Sequence, residues 1–190
     1  MREIINMIVV LSLISGTSGL SLAYLKELTA KPIEDQVLFY VQGPAIKSVF
    51  ADADNDPLAE RKSFETPEGP VMVFPAKKGG KLTAVALEGF GGGFGGDIGV
   101  IVGIDLAKDS LAGIGVTTLK ETPGLGTRVA EPKFQQQFRG LPLDRVGLSG
   151  KGGSVDAISG ATVSSVGTVT AVNKAIDIYK GLKPQLEGAF

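Results

Sequence analysis

The longest apolar stretch of the chain has no polar face. From Ile4 to Leu25 it runs for 22 residues without a charge, IINMIVVLSLISGTSGLSLAYL. At ~1.5 Å of rise per residue such a helix is about 33 Å long, which matches a bilayer core of ~30 Å. Arg2 and Glu3 stand before it, Lys26 and Glu27 after it, and Tyr24 sits where an interfacial aromatic belongs. The pattern predicts a retained membrane anchor over residues 1–28. A cleaved signal peptide is the competing reading. Ser21-Leu22-Ala23 loosely resembles a cleavage site, but Arg2 is offset by Glu3 and the run exceeds an apolar region of about 7–15 residues. The flanking charges are too balanced to orient the helix. Ser15, Gly19 and Ala23 recur at helical spacing, which lets a second membrane helix approach or simply reflects how common small residues are in such spans.

Residues 29–80 read as a connecting, peripheral segment. They are polar and mixed to about residue 63, with a short helix or strand around Gln36–Phe50. From Val71 the pattern turns β-like. Val71–Pro75, Leu82–Leu87, Ile98–Ile104 and Leu111–Leu119 are short, rich in β-branched residues and divided by Lys/Gly- or Asp-containing turns. Ile98, Val100, Val102 and Ile104 alternate with Gly99, Ile101 and Gly103, so one face is strongly apolar. Close spacing without intervening helices favours an antiparallel sheet. A last helix is expected from about Ser164 to Gly181, with Val166, Val169, Val172 or Asn173, Ile176 and Tyr179 on its stripe and Gly181 and Pro184 as its stop. The predicted class is α+β: one N-terminal transmembrane helix, then a small domain over residues 81–190 with a mainly antiparallel sheet and a C-terminal helix.

Composition narrows the chemistry. The chain has 27 glycines and neither cysteine nor histidine. Disulfides, thiolate nucleophiles, the usual zinc sites, Cys-held clusters, His-ligated haem and a Ser-His-Asp triad are therefore excluded. A net charge of −1 gives no electrostatic footprint for nucleic acid. Redox chemistry here has to come from an organic cofactor. Asp52, Asp54, Asn55 and Asp56 invite a calcium reading that fails: a calcium loop starting at Asp52 needs Gly where Pro57 stands and an acid where Ser63 stands. A solvated loop is expected, and no metal site.

Three glycine-bearing motifs remain. Gly91, Gly93 and Gly96 formally spell GxGxxG around Phe94 and Gly95, but a strand follows where a dinucleotide loop needs a helix. The stretch reads as a flexible turn or a close backbone approach to a flat ligand. Glu121-Thr122-Pro123-Gly124-Leu125-Gly126 follows a buried strand, and Pro and Gly define a tight turn. It is either a plain turn or a way to present backbone N–H groups and a carboxylate to a ligand. In Asp156-Ala157-Ile158-Ser159-Gly160-Ala161-Thr162, continued by Val163, Ser164 and Ser165, hydroxyls crowd the start of the last helix. They serve as helix caps or, with unpaired N–H groups and the positive end of the dipole, as a phosphate site.

Together these motifs resemble the FMN-binding domain shared by the G subunit of the Rnf electron-transport complex and the C subunit of the sodium-pumping NADH:quinone reductase. In that family a D-x-x-(S/T)-G-A-T sequence is recognised by an FAD-dependent flavin transferase, which joins the FMN phosphate to the last Thr. Asp156, Ser159, Gly160, Ala161 and Thr162 match each specified position, and Glu121–Gly126 matches the family's ETPGLG turn without a change. The Phe94-Gly95-Gly96 segment corresponds to the glycine-rich stretch with an aromatic before a sheet strand. The resemblance covers residues 80–182 and the anchor. It implies FMN held covalently on Thr162, with Asp156, Ser159, Gly160, Ala161, Val163 and Ser164 around the attachment point and Phe94, Gly95, Gly96 and Glu121–Gly126 flanking the isoalloxazine. Glu121, Thr122, Leu125 and Gly126 are then the expected contacts. It also implies a single-pass subunit of a bacterial inner-membrane complex, its domain on the extracytoplasmic side, with other membrane and peripheral subunits as partners. No catalytic acid or base of its own is expected. The compact region between anchor and sheet favours the Rnf G subunit, a part of a ferredoxin:NAD oxidoreductase, over the quinone-reductase subunit. Members often carry His shortly before ETPGLG, where this chain has Thr118-Leu119-Lys120; His-based tuning of the flavin is thereby in doubt. A non-redox anchored protein, pilin-like or ligand-binding, is the alternative of another class, although the prepilin cleavage pattern is absent.

Overall fold

The computed structural model describes every residue except Asp52, Glu68 and Glu187, and the side chain of Glu34 is likewise left out. The chain forms two compact units, Met1–Tyr40 and Val41–Phe190. The first is helix α1, Arg2–Val37, whose apolar side chains are exposed along its length. By length and composition the helix is long and apolar enough to cross a membrane. It continues past the expected end at residue 28, because nothing in Leu28–Val37 stops it. Pro32 removes one N–H donor and leaves the helix running.

One π-helical turn, Leu38–Gln42, runs across the boundary between the units, and the second unit continues with the short helix α2, Gly43–Val49, whose Pro44 sits in the first turn where no N–H partner is needed. The stretch around Gln36–Phe50 is therefore helical. Five strands follow: β1 Lys62–Thr66, β2 Gly69–Lys78, β3 Lys81–Gly92, β4 Asp97–Asp105 and β5 Ser110–Thr118. They form an antiparallel sheet in chain order. The sheet thus begins well before residue 81. The segment 29–80 is not merely a connection, since β1 and β2 complete the sheet's edge. Strand β1 escaped the pattern because its side chains are mostly exposed and carry little apolar signal.

Both faces of the sheet are covered, which explains why β4 is buried almost throughout. On one face Val85, Leu87, Ile98, Val100 and Val102 pack with Val169, Val172 and Ile176 of helix α4, Thr162–Leu186. On the other, Ala45 and Val49 of α2 lie against Gly115 and Gly103. Helix α4 comes so near the sheet that a Cβ at Gly91 would stand 2.1 Å from the carbonyl oxygen of Gly167. That contact absorbs one glycine of the GxGxxG pattern into packing. Gly181 and Pro184 do not end α4. Leu182 and Leu186 are 3% and 1% exposed, and burying each contributes ~1.5–3 kcal/mol, enough to offset a poor helix former in the last turns.

Between β5 and α4 the chain runs through 3₁₀ turns and one four-residue helix, α3, Pro132–Gln135. Val129, Phe134, Phe138, Val146 and Val155 pin this stretch to the core, and the two phenylalanine rings meet edge-on at 5.6 Å. The acidic loop before β1 is stapled to β2. Asn55 donates to the Pro75 carbonyl at 3.0 Å and accepts from Lys77 N–H at 2.8 Å, while Asp54 accepts from Gly79 N–H at 2.8 Å and Asp56 caps Leu58 N–H at 3.0 Å. Asp52, the first residue of that cluster, lies outside the described residues.

Candidate functional site

Three stretches of the second unit converge at the N-terminal end of α4. The loop entering the helix turns at Gly160, whose φ is +81°. Ala161 N–H then donates to the Ile158 carbonyl at 2.9 Å. Ser165, fully buried, ties this loop to the first turn: its Oγ accepts from Ile158 N–H at 3.0 Å and donates to the Ala161 carbonyl at 3.0 Å. Thr162 is the first helical residue and is exposed. The N–H groups of Thr162, Val163 and Ser164 find no acceptor among the described residues, so the positive end of the helix is uncompensated by the backbone at this point.

The four hydroxyls that crowd this motif in sequence are separated by the fold. Ser164 and Ser165 are turned inward and engaged within the protein. Ser159 and Thr162 are exposed and line different clefts. Thr162 lines a cleft of about 450 Å³ together with Phe94, Thr122, Leu125, Gly160 and Val163. Glu121, Gly126, Ala161 and Ser164 complete its wall. Ser159 and Asp156 instead line a separate cleft of about 430 Å³ beside Arg128, Lys133 and Ile158. Asp156 is exposed there, its backbone N–H donating to Gln137 Oε1 at 2.8 Å. The attachment-type motif is therefore shared between two clefts. Nothing in the sequence marked Arg128 or Lys133 as neighbours of Asp156, because the stretch that carries them has no periodicity.

The turn after β5 is closed by Leu125 N–H and Thr127 N–H, which donate to the Thr122 carbonyl at 3.2 and 3.3 Å, and by Thr127 Oγ1, which accepts from Gly124 N–H at 2.9 Å. Pro123 and Gly124 are exposed on its outer side and do not line the cleft, while Leu125 leans into it. The glycine-rich tip between β3 and β4 closes on itself through Gly93 N–H to the Gly96 carbonyl at 2.8 Å. It holds Phe94 out, 75% exposed, at the cleft's mouth. Gly95 and Gly96 shape this tip without lining the cleft. Glu121 departs from the expected role of a carboxylate held out to a ligand. Its side chain is turned into the protein, with Oε1 accepting from Gly95 N–H at 3.1 Å and Oε2 from the Ser164 hydroxyl at 2.7 Å.

A flat aromatic ligand with an anionic tail fits this arrangement. The cleft's size lies within the range of about 300–1,000 Å³ typical of small-molecule sites. Leu125, Val163 and Phe94 offer apolar surface, and the exposed helix start offers N–H donors for an anion beside the Thr162 hydroxyl.

Comparison with known proteins agrees with the geometry. The family model for an FMN-binding domain matches residues 93–177, which enclose both loops, the helix start and the cleft between them. The G subunit of the ion-translocating oxidoreductase complex of Methanosarcina acetivorans is 32% identical over 181 residues, 93% of this chain and 94% of that protein. Its counterpart of the same name from Cereibacter sphaeroides is 32% identical over 190 residues, 93% of this chain and 84% of that protein. Among solved structures, the C subunit of the Na(+)-translocating NADH-quinone reductase from Parabacteroides distasonis is similar with a TM-score of 0.52 at 27% identity. The similarity covers 60% of this chain and 62% of that one, so the shared part is just under two thirds of that protein.

Proposed function

The chain belongs to the family of G subunits of ion-translocating oxidoreductase complexes, and on that premise we propose that it carries FMN as a phosphoester on Thr162 and relays electrons between neighbouring subunits. It is an FMN-binding, electron-transferring member of a membrane-associated complex. The finer reading concerns how the flavin is held and by which residues.

The observation that carries it is the position of Thr162. Thr162 is exposed at the first turn of α4, in the wall of the cleft, where three N–H groups have no acceptor among the described residues. An FAD-dependent flavin transferase would form a bond between Thr162 Oγ and the FMN phosphorus, break the pyrophosphate bond of FAD, release the AMP half and take up the hydroxyl proton. The product is a diester with one negative charge, which the helix start favours by ~0.3–1 kcal/mol. Asp156 and Ser159 lie outside the Thr162 cleft and are assigned to recognition by the transferase. Thr122, Leu125, Gly126 and Phe94 are assigned to the isoalloxazine, the apolar ones excluding water from its face.

When bound, the isoalloxazine supplies reversible uptake and release of electrons. The chain's own residues attach, orient and shield it, and a relay is the role that a cleft without histidine or cysteine suits. With α1 as a retained anchor, the domain would face the extracytoplasmic side, where a covalent bond keeps the flavin from being lost. A ferredoxin:NAD oxidoreductase is the complex we assign, in line with a relative of that name from Acetobacterium woodii.

Intact-mass analysis of the denatured chain, co-expressed with the transferase, tests this reading. The expected result is a gain of one FMN less one water on the peptide bearing Thr162, and no gain in Thr162→Val at unchanged folding. Covalent flavin retained in Thr162→Val refutes the site. An unmodified wild-type chain beside an active transferase refutes the covalent reading altogether.

A further inference from the structure

Glu121 is 7% exposed yet forms part of the wall of the Thr162 cleft. Both of its oxygens act as acceptors, the role of an ionised carboxylate, one toward Gly95 N–H and the other toward the Ser164 hydroxyl. Two glycines from different motifs keep room for it. A Cβ at Gly93 would lie 2.1 Å from Oε1, and one at Gly126 would lie 2.4 Å from Oε2 and 2.6 Å from the Ser164 hydroxyl oxygen. Three segments distant in sequence thus close around a single negative charge. Among the described residues no lysine or arginine forms an ion pair with it.

A buried carboxylate without a counter-ion is costly, and an apolar side chain would close the same gap more cheaply. One compensating feature is the N-terminal turn of α4, where Ser164 lies, worth roughly half a positive charge. The helix start therefore offsets the charge of Glu121 only in part, and a negative charge remains in the wall of the cleft. Because the site is partly removed from water, this charge acts on a bound ligand more strongly than it would in solvent.

We propose that Glu121 sets the reduction potential of the flavin bound in this cleft. Two-electron reduction brings two electrons and one proton to the isoalloxazine and leaves it one unit more negative. The fixed charge of Glu121 opposes that change and lowers the potential, favouring electron donation to the next carrier. The proposal rests on the FMN reading above and adds to it the residue that tunes the cofactor.

The test is a potentiometric titration, followed by visible spectroscopy, of the full chain purified in detergent with its flavin attached. Wild-type flavin content is read first by intact mass. A wild-type chain without flavin overturns the FMN reading and this proposal with it, which separates that failure from the ones below. Glu121→Gln keeps both hydrogen bonds, its amide oxygen accepting from Gly95 and its NH₂ donating to Ser164, and removes only the charge. On the flavin-bearing fraction of Glu121→Gln the reduced form is expected to gain about tenfold, a rise of about 30 mV for a two-electron couple. Glu121→Asp keeps the charge but alters the reach, and its potential is expected to stay nearer to wild type. A potential unchanged in Glu121→Gln overturns the proposal. So does an equal rise in both variants, which would assign the effect to geometry. Loss of flavin from a folded Glu121→Gln also overturns it, because the charge would then act in attachment.

Discussion

The Ser164 hydroxyl donates to Glu121 Oε2 at 2.7 Å across 43 residues of chain. This one bond joins the turn after the last strand to the first turn of the helix that bears Thr162. The carboxylate's other oxygen reaches the glycine-rich tip through Gly95. The three motifs that stand apart in sequence are therefore held as one body by a buried side chain, and the cleft between them has a defined shape.

Gly126 and Gly124, two residues apart, are expected to fail differently on substitution by alanine. At Gly126 the added Cβ collides with the Glu121–Ser164 pair, so the loss is an overpacking cost of ~1–3 kcal/mol and the clasp opens. At Gly124 there is open space but φ is +75°, and the loss is ~1–2 kcal/mol of backbone strain with the clasp intact. Urea unfolding gives both losses, and flavin loading is expected to fall in Gly126→Ala more than in Gly124→Ala. Equal loading would show that the clasp does not shape the cleft.

Ser165→Ala removes the buried hydroxyl that accepts from Ile158 N–H and donates to the Ala161 carbonyl. A buried N–H left without a partner costs ~1–3 kcal/mol. Denaturation should show that loss, and amide exchange at Ile158 should speed up well before global unfolding.

Glu60 carries a pH signature at the edge of the sheet. The Lys77 ammonium, 2.6 Å from its carboxylate, holds its pKa below the ordinary carboxylate value, with Asn55 assisting. A depressed folded pKa stabilises the fold at neutral pH. That contribution is present above the unfolded pKa of ~4.3 and disappears as pH falls through the folded value. A carbon-detected NMR titration should place Glu60 below the ordinary carboxylate value, and Lys77→Met should bring it back toward that value.

Removing residues 1–40 leaves the compact unit Val41–Phe190 with its sheet, both covering helices and the whole candidate site. The shortened chain is expected to be soluble without detergent and to unfold in one cooperative step. The full chain should partition into membranes and require detergent. A shortened chain that aggregates, or that lacks a cooperative transition by circular dichroism, would show that α1 belongs to the folding unit.

Where a signal was local, the sequence carried it. The uncharged run of α1, the alternation or continuous burial of β2 to β5 and the stripe of Val169, Val172, Ile176 and Tyr179 each follow from the solvent that a segment meets. The motifs around Glu121, Gly95 and Thr162 could be picked out one by one because turns and helix starts have their own chemistry. Tertiary packing decided the rest. It recruited exposed β1 as a sheet edge, and it carried α4 past Gly181 and Pro184 by burying Leu182 and Leu186. It pinned the aperiodic stretch after β5 through scattered aromatic and branched residues. It also sorted hydroxyls that look alike in sequence, sending Ser164 and Ser165 inward while leaving Thr162 in one cleft and Ser159 in another. A carboxylate's direction depends on which donors lie across the fold, so no reading of residues 121–126 alone could show that Glu121 points into the protein. Donors 26 and 43 residues away, at Gly95 and Ser164, made that choice.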